Sequence, residues 1–130
     1  MEQGGRKSMR SYLVVIFPVA LLGCGPRAED KAKIQEVKAY LLKVVEAQER
    51  YKATNETYSL NIQELVHFDS SIAEPPPGYK VKGGGGLSLA FGYEVQATPE
   101  ASGPHFYVNQ SGVVRYSYWG AADRDSNPVE

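Results

Sequence analysis

Hydrophobic side chains between residues 30 and about 53 recur at alternating intervals of three and four positions. This spacing predicts one long α-helix, because residues three and four apart share a helix face. Asp30 is expected to cap its start, and the stretch ATNET is expected to end it. We interpret the apolar stripe as the face that meets the core. Its members are Ile34, Val37, Leu41, Val44, Gln48 and Tyr51, widened by Tyr40, Val45 and Ala47.

A second, shorter helix is predicted after Asn61. Asn61 and Glu64 have the spacing of a capping box, in which the first side chain bonds a backbone N–H three residues later. The helix is expected to continue through Leu65 and Val66. The stretch EPPPGY then ends regular structure, since proline fits neither a helix interior nor a central strand.

In the second half of the chain the hydrophobic period changes from about 3.6 to two, which is typical of half-buried strands. A strand is predicted over residues 87–97, and a shorter one over 79–82, joined by residues 83–86 as a flexible glycine connection. Residues 105–109 and 113–119 flank the turn 110–112 as a hairpin, and 120–130 is predicted to be a loop. One face of the long strand carries Leu87, Leu89, Phe91, Tyr93, Val95 and Ala97.

These elements together predict an α+β domain. The long helix comes first and covers one face of a small antiparallel sheet of about four strands.

The first 23 residues have the layout of a secretory signal peptide. Arg6, Lys7 and Arg10 precede the apolar run SYLVVIFPVALLG, with Met1 or Met9 as the initiator. A membrane-spanning helix needs about 20 apolar residues. This run is shorter and is interrupted by Pro18, whose missing N–H would kink a helix. We therefore predict that the leader is removed.

The leader ends in Leu21, Leu22 and Gly23, followed by Cys24, the only cysteine. This stretch resembles the lipobox of bacterial lipoproteins. The resemblance implies cleavage before Cys24, a diacylglycerol on its thiol and an acyl chain such as palmitate on the new amine. The alternative is a buried cysteine in an uncleaved anchor helix. We favour the lipobox, which gives a signal peptide at 1–23, a tether at 24–30 and a globular domain at 31–130.

Removing the leader leaves 130 − 23 = 107 residues, with 14 − 3 = 11 basic and 15 − 1 = 14 acidic side chains. The resulting charge of −3 does not favour nucleic acid as a partner. Residues 83–86 lack the Gly-Lys-Ser/Thr of a phosphate loop, and His67 and His105 belong to no catalytic motif. We predict a protein that is not an enzyme and needs no cofactor.

Two features near the C-terminus were weighed as sites. Asp123, Asp125 and Asn127 alternate as oxygen ligands do where a Ca²⁺ loop begins, but position six is Pro128, and a solvated tail is the preferred interpretation. The cluster of Tyr116, Tyr118 and Trp119 fits either an interaction surface or sheet core, and core is preferred. A calcium-dependent binder or exported enzyme would depend on the first feature alone.

Three stretches resemble type IV pilins and type II secretion pseudopilins across residues 31–128. The first is the end of the long helix with the turn after it, the second is PGYKV, and the third is the hairpin GPHFYVNQSGVVRYS. The resemblance implies a pilin head, in which half of a long helix lies on a four-stranded antiparallel sheet. The positions that carry it are Ala47, Gln48, Tyr51, Tyr58 and Leu65, then Phe106, Tyr107, Asn109, Ser111, Gly112, Val113, Val114 and Arg115.

The chain departs from the family at its N-terminus. Pilins continue from Phe-Thr-Leu-x-Glu into an apolar half-helix that packs in the filament, and here the lipobox stands instead. We therefore expect a lipid-anchored, non-enzymatic interaction or structural module on the periplasmic face of the outer membrane or the cell surface, a placement that Gly25 favours. The alternative is an accessory component of a type II secretion or type IV pilus system, with a pilin or machine subunit as protein partner.

Overall fold

The computed structural model describes residues 28–59, 61–85 and 91–130. The predicted leader, Cys24 and the part of the predicted long strand at 87–90 lie outside the described residues. The chain divides into two units, Met1–Ala32 and Lys33–Glu130, and only the start of the first helix is described in the first unit. None of the helices in the described part of the chain combines the length and apolarity that crossing a bilayer requires.

Helix α1 spans Ala28–Asn55 and begins two residues before the predicted cap, Asp30. Its predicted stripe is confirmed as the core face, with Tyr51 and Val45 half-buried at its margin. The helix ends where Glu56 takes the left-handed conformation at φ 72° and its N–H donates to the Lys52 carbonyl at 2.7 Å. This arrangement satisfies a carbonyl that the last helical turn would otherwise leave unpaired.

Helix α2 spans Ile62–Phe68 and begins as predicted. Asn61 Oδ1 accepts from the Glu64 backbone N–H at 2.8 Å, and the Glu64 carboxylate lies 3.0 Å from the Ser59 hydroxyl. A 3₁₀ helix at Ser70–Ile72 follows, and Tyr40 on α1 donates its hydroxyl proton to the Ile72 carbonyl at 2.7 Å. The bonds of Asn61 and Glu64 cap α2, and the Tyr40 bond attaches the 3₁₀ helix to α1.

The sheet has five antiparallel strands, β1 to β5, in the order in which they occur along the chain. The predicted α+β class is confirmed, with five strands where about four were expected. The strands are Tyr79–Gly85, Tyr93–Pro99, His105–Asn109, Arg115–Ser117 and Asn127–Pro128.

The prediction that glycines 83–86 form a flexible connection is wrong for the first three. Gly83 and Gly85 belong to β1 and lie opposite Val95 and Tyr93 of β2. A Cβ at Gly83 would lie 3.7 Å from the Ile62 backbone nitrogen, so α2 approaches this strand closely. The ladder pairing with β2 explains why these glycines form an ordered strand, while a Cβ at Gly83 would only make ordinary van der Waals contact with α2.

The predicted strand over 87–97 also changes where it is described. Phe91 lies in a turn and is 81% exposed, so the buried face of β2 begins at Tyr93. From there the predicted alternation is confirmed, since Tyr93, Val95 and Ala97 are buried.

The C-terminal part of the sheet differs from the prediction at both ends of its last hairpin. The turn at 110–112 is confirmed, with Gly112 at φ 77°, but β4 contains only three residues. The predicted loop 120–130 contains β5, because Val129 is buried and its N–H donates to the Val114 carbonyl at 2.8 Å.

The core lies between α1 and one sheet face. Tyr79, Val95, Phe106 and Val108 from the sheet belong to the same buried cluster as the α1 stripe. Rings stack edge-on across it, as Tyr58 and Tyr93 do at 4.7 Å between centroids. The opposite sheet face carries polar side chains such as Lys80, since successive strand residues point to opposite faces.

Candidate functional site

The strand register defines two ends of the sheet. At one end of the strands, β1 and β3 begin and β2 and β4 end. We call this the helix-start end. Helix α1 runs from this end, because Lys33 Nζ donates to the Pro77 carbonyl at 3.1 Å, immediately before β1. The opposite end, which includes the turn at 110–112, is called the hairpin end. A Cβ built on Gly112 there would lie 4.0 Å from Val45 Cγ1, so α1 passes close to this turn.

An exposed aromatic patch, Tyr118 and Trp119, lies at the helix-start end directly after β4. Trp119 is 94% exposed and Tyr118 is 43% exposed. Tyr116 is half-buried against the core, and the Tyr118 ring meets it edge-on at 5.7 Å between centroids. Our preferred interpretation of these aromatics as core is therefore wrong for Tyr118 and Trp119, and the interaction surface stays a prediction for these two residues.

The backbone explains why Trp119 faces solvent. The Trp119 N–H donates to the Ser117 hydroxyl at 3.2 Å, which turns the chain as β4 ends. Gly120 follows at φ 120°, a region that residues with a side chain rarely adopt. Gly120 is the signal in the sequence for an end of the strand near this point, whereas the predicted strand continued to Trp119 and β4 ends at Ser117.

The segment after the patch folds back over the polar face of the sheet. Ala122 is buried, Gln96 Nε2 donates to its carbonyl at 3.5 Å, and Arg115 Nη1 donates to the Ser126 carbonyl at 2.8 Å. Beneath this segment Tyr107 donates its hydroxyl proton to Glu94 Oε2 at 3.1 Å. The segment is therefore held over the sheet by the polar contacts of Gln96 and Arg115, whereas the Trp119 side chain at its start is 94% exposed.

Tyr107 and Tyr93 are buried tyrosines whose hydroxyls remain protonated. Burial, then the hydrogen bond to Glu94, raises the pKa of Tyr107, and burial raises the pKa of Tyr93 well above the ordinary value. Desolvation disfavours the phenolate in both cases. Tyr93 thus acts as a packing group, and Tyr107 acts as a packing group and a neutral donor.

The candidate calcium residues lie in a turn that hydrogen bonds close. Asp123 Oδ1 accepts from the Asp125 N–H at 2.8 Å and lies 3.3 Å from the Ser126 hydroxyl. Asn127 belongs to β5 opposite Tyr116. Among the residues described, no group of three or more His, Cys, Asp or Glu is placed to bind a metal. The alternation of these residues is therefore explained by the capped turn and the strand after it.

A groove of about 370 Å³ lies between α2, the 3₁₀ helix and β1. His67 contributes a titratable side chain to it, whereas His105 lies in β3. This volume lies at the lower end of the range of roughly 300–1,000 Å³ that is typical of small-molecule pockets. Its lining residues are Tyr40, Ile62, Gln63, Val66, His67, Ile72, Ala73, Pro75 and Val81.

Comparison with known proteins adds no relative to this picture. No family model matches the chain, no curated protein matches it, and no solved structure matches it. The lipobox and the resemblance to pilins are therefore expectations from the sequence.

Proposed function

We propose that this protein is a lipid-anchored, non-enzymatic interaction module of the bacterial cell envelope. Cys24 carries the lipid, and the unit Lys33–Glu130 is the interacting domain. The single observation that carries the proposal is the aromatic patch. Adjacent aromatic side chains with this exposure are a cost to a free domain in water, and they are typical of surfaces that bind.

Three titratable side chains of the domain, Tyr93, Tyr107 and Asp69, have roles in its structure. A tyrosine hydroxyl is already neutral at physiological pH, and burial raises the pKa of Tyr93 and Tyr107 further, so neither is suited to act as a nucleophile or a base. Asp69 is committed to the Ser71 N–H at 3.0 Å, the Ser71 hydroxyl and Arg50. Each of these groups serves local structure.

The lipid is tested by growing cells with an alkyne fatty acid and comparing the full chain with Cys24→Ser. We expect label on the wild-type protein and loss of label in Cys24→Ser. A matched control, Trp119→Phe, changes an exposed residue far along the chain and should be labelled like wild type. Equal labelling of Cys24→Ser, or a native mass that includes the leader, would refute the proposal.

The second candidate is an accessory component of a type II secretion or type IV pilus system. It is favoured by the order of elements, a long helix followed by consecutive antiparallel strands, which is the arrangement that the resemblance to pilin heads implies. Crosslinking in cells followed by affinity purification tests it. Recovery of a pilin or machine subunit supports this role, and recovery of none counts against it.

A further inference from the structure

The aromatic patch lies at the end of the domain where the chain arrives from Cys24. Lys33, the first residue of the unit Lys33–Glu130, bonds Pro77 at the helix-start end, and β4 ends near Trp119 at the same end. Cys24 precedes Lys33 by 33 − 24 = 9 residues. Nine residues span at most about 30 Å even when fully extended. A lipid on Cys24 would therefore hold this end of the domain close to the bilayer surface.

The composition of the patch suits the headgroup region of a bilayer. Tryptophan and tyrosine concentrate at membrane interfaces, because each combines an apolar ring with a polar N–H or O–H. Residues 117–122 read SYWGAA and include no charged side chain. Insertion of the Trp119 ring thus requires no charge from its own segment to leave water.

We propose that the aromatic patch inserts into the headgroup region of the same membrane that holds the lipid anchor, with Trp119 as the deepest residue. This inference depends on the proposed acylation of Cys24. The lipid keeps the patch at a high local concentration next to the bilayer, which compensates for the weak membrane affinity of a single tryptophan. Two contacts, the lipid and the patch, fix the orientation of the domain. The hairpin end is then directed away from the membrane.

The charge of the protein indicates an apolar contact and not an electrostatic one. Without the leader the formal charge is 11 − 14 = −3, which gives no general attraction to anionic lipid. We therefore expect the contact to form on neutral phosphatidylcholine and to persist as salt is raised, since salt screens charges and leaves apolar burial intact.

Trp119 is the only tryptophan in the chain, so its fluorescence reports on the patch alone. The native lipoprotein is purified in detergent and reconstituted into phosphatidylcholine vesicles with or without brominated phosphatidylcholine. We expect Trp119 in the vesicles to emit at a shorter wavelength than in the protein unfolded in denaturant without detergent. We also expect strong quenching of Trp119 by brominated lipid and little quenching by aqueous iodide. The same result is expected at low and high salt.

Phe91 provides a matched control. It is also an exposed aromatic residue, but it precedes β2 at the hairpin end. In the double variant Trp119→Phe, Phe91→Trp the reporter moves to that end, and we expect quenching by iodide and none by brominated lipid. Circular dichroism and the melting temperature confirm that both proteins fold alike.

Three results separate the inference from the proposed function. A native mass without lipid on Cys24 refutes the anchor and the inference together. Lipidated protein whose Trp119 is quenched by iodide and not by brominated lipid refutes the patch contact alone. A benzoylphenylalanine at position 119 that crosslinks in cells to a protein, and not to phospholipid, overturns the inference in favour of a protein partner.

Discussion

Gln48 lies on the apolar face of α1, yet it forms two hydrogen bonds with the backbone of one residue. Its Oε1 accepts from the Ser59 N–H at 2.8 Å, and its Nε2 donates to the Ser59 carbonyl at 3.5 Å. Gln48 is 4% exposed and Ser59 is also buried. Methionine has the same length as glutamine without its polar atoms, so Gln48→Met removes both bonds while nearly filling the same space.

The cost follows from the group that is left behind. A buried N–H without a partner costs about 1–3 kcal/mol, whereas the 3.5 Å bond is long enough to contribute little. Removing the buried amide offsets part of this cost, because that amide no longer has to leave water. We expect a net loss of about 1–2 kcal/mol. In a domain of this size each kcal/mol lowers the melting temperature by roughly 4–8 °C.

Urea denaturation followed by circular dichroism measures the change in unfolding free energy, and amide hydrogen exchange reports on Ser59 directly. We expect a lower urea midpoint, an unchanged slope and faster exchange at Ser59. Gln63→Met on the exposed side of α2 is the control and should be near neutral. If Gln48→Met matched wild type and Ser59 stayed protected, the assignment of these bonds as the link between α1 and the following loop would be wrong.

Three further predictions test other parts of the structure. Tyr93→Phe should be neutral or stabilising by up to about 1 kcal/mol in urea denaturation, because the buried Tyr93 hydroxyl has no partner among the described residues. The control Tyr58→Phe loses a hydrogen bond to Glu49 and should destabilise the domain. Glu56→Gly should raise the melting temperature, gaining up to about 1 kcal/mol by relieving the left-handed φ of 72°, and Glu56→Ala should not. The Ser71 hydroxyl and N–H, then Arg50, lower the pKa of Asp69. Its stabilisation is therefore present above the ordinary carboxyl pKa and is lost as pH falls through the lower folded value, so Asp69→Asn should flatten the acid side of the unfolding free energy measured against pH.

The periodic parts of the fold could be predicted from the sequence because burial on one face imposes the period. The α1 stripe and the alternation from Tyr93 to Ala97 follow from this. The spacing even placed Gln48 correctly on the buried face, although its reason, the backbone of Ser59, is a tertiary contact that the sequence does not show.

The errors share one physical origin, since they concern residues whose state depends on a partner strand. Gly83 was read as flexible from its lack of a side chain, but the ladder with β2 orders it. Asn127 belongs to β5 because it pairs with Tyr116 of β4. Nine residues separate the two strands, so no local sequence pattern indicates this pairing. Trp119 was placed in the core by its type, and its exposure is decided by where β4 stops.

The three aromatics at the end of β4 form a gradient from core to solvent. Tyr116 packs against the buried cluster, Tyr118 rests on Tyr116, and Trp119 extends beyond both. A side chain as exposed as Trp119 adds little to folding, because stability from apolar groups scales with the area removed from water. Substituting it should therefore leave the melting temperature unchanged while abolishing whatever contact the patch makes. This separation of stability from binding makes the patch a place where the function can be tested without disturbing the fold.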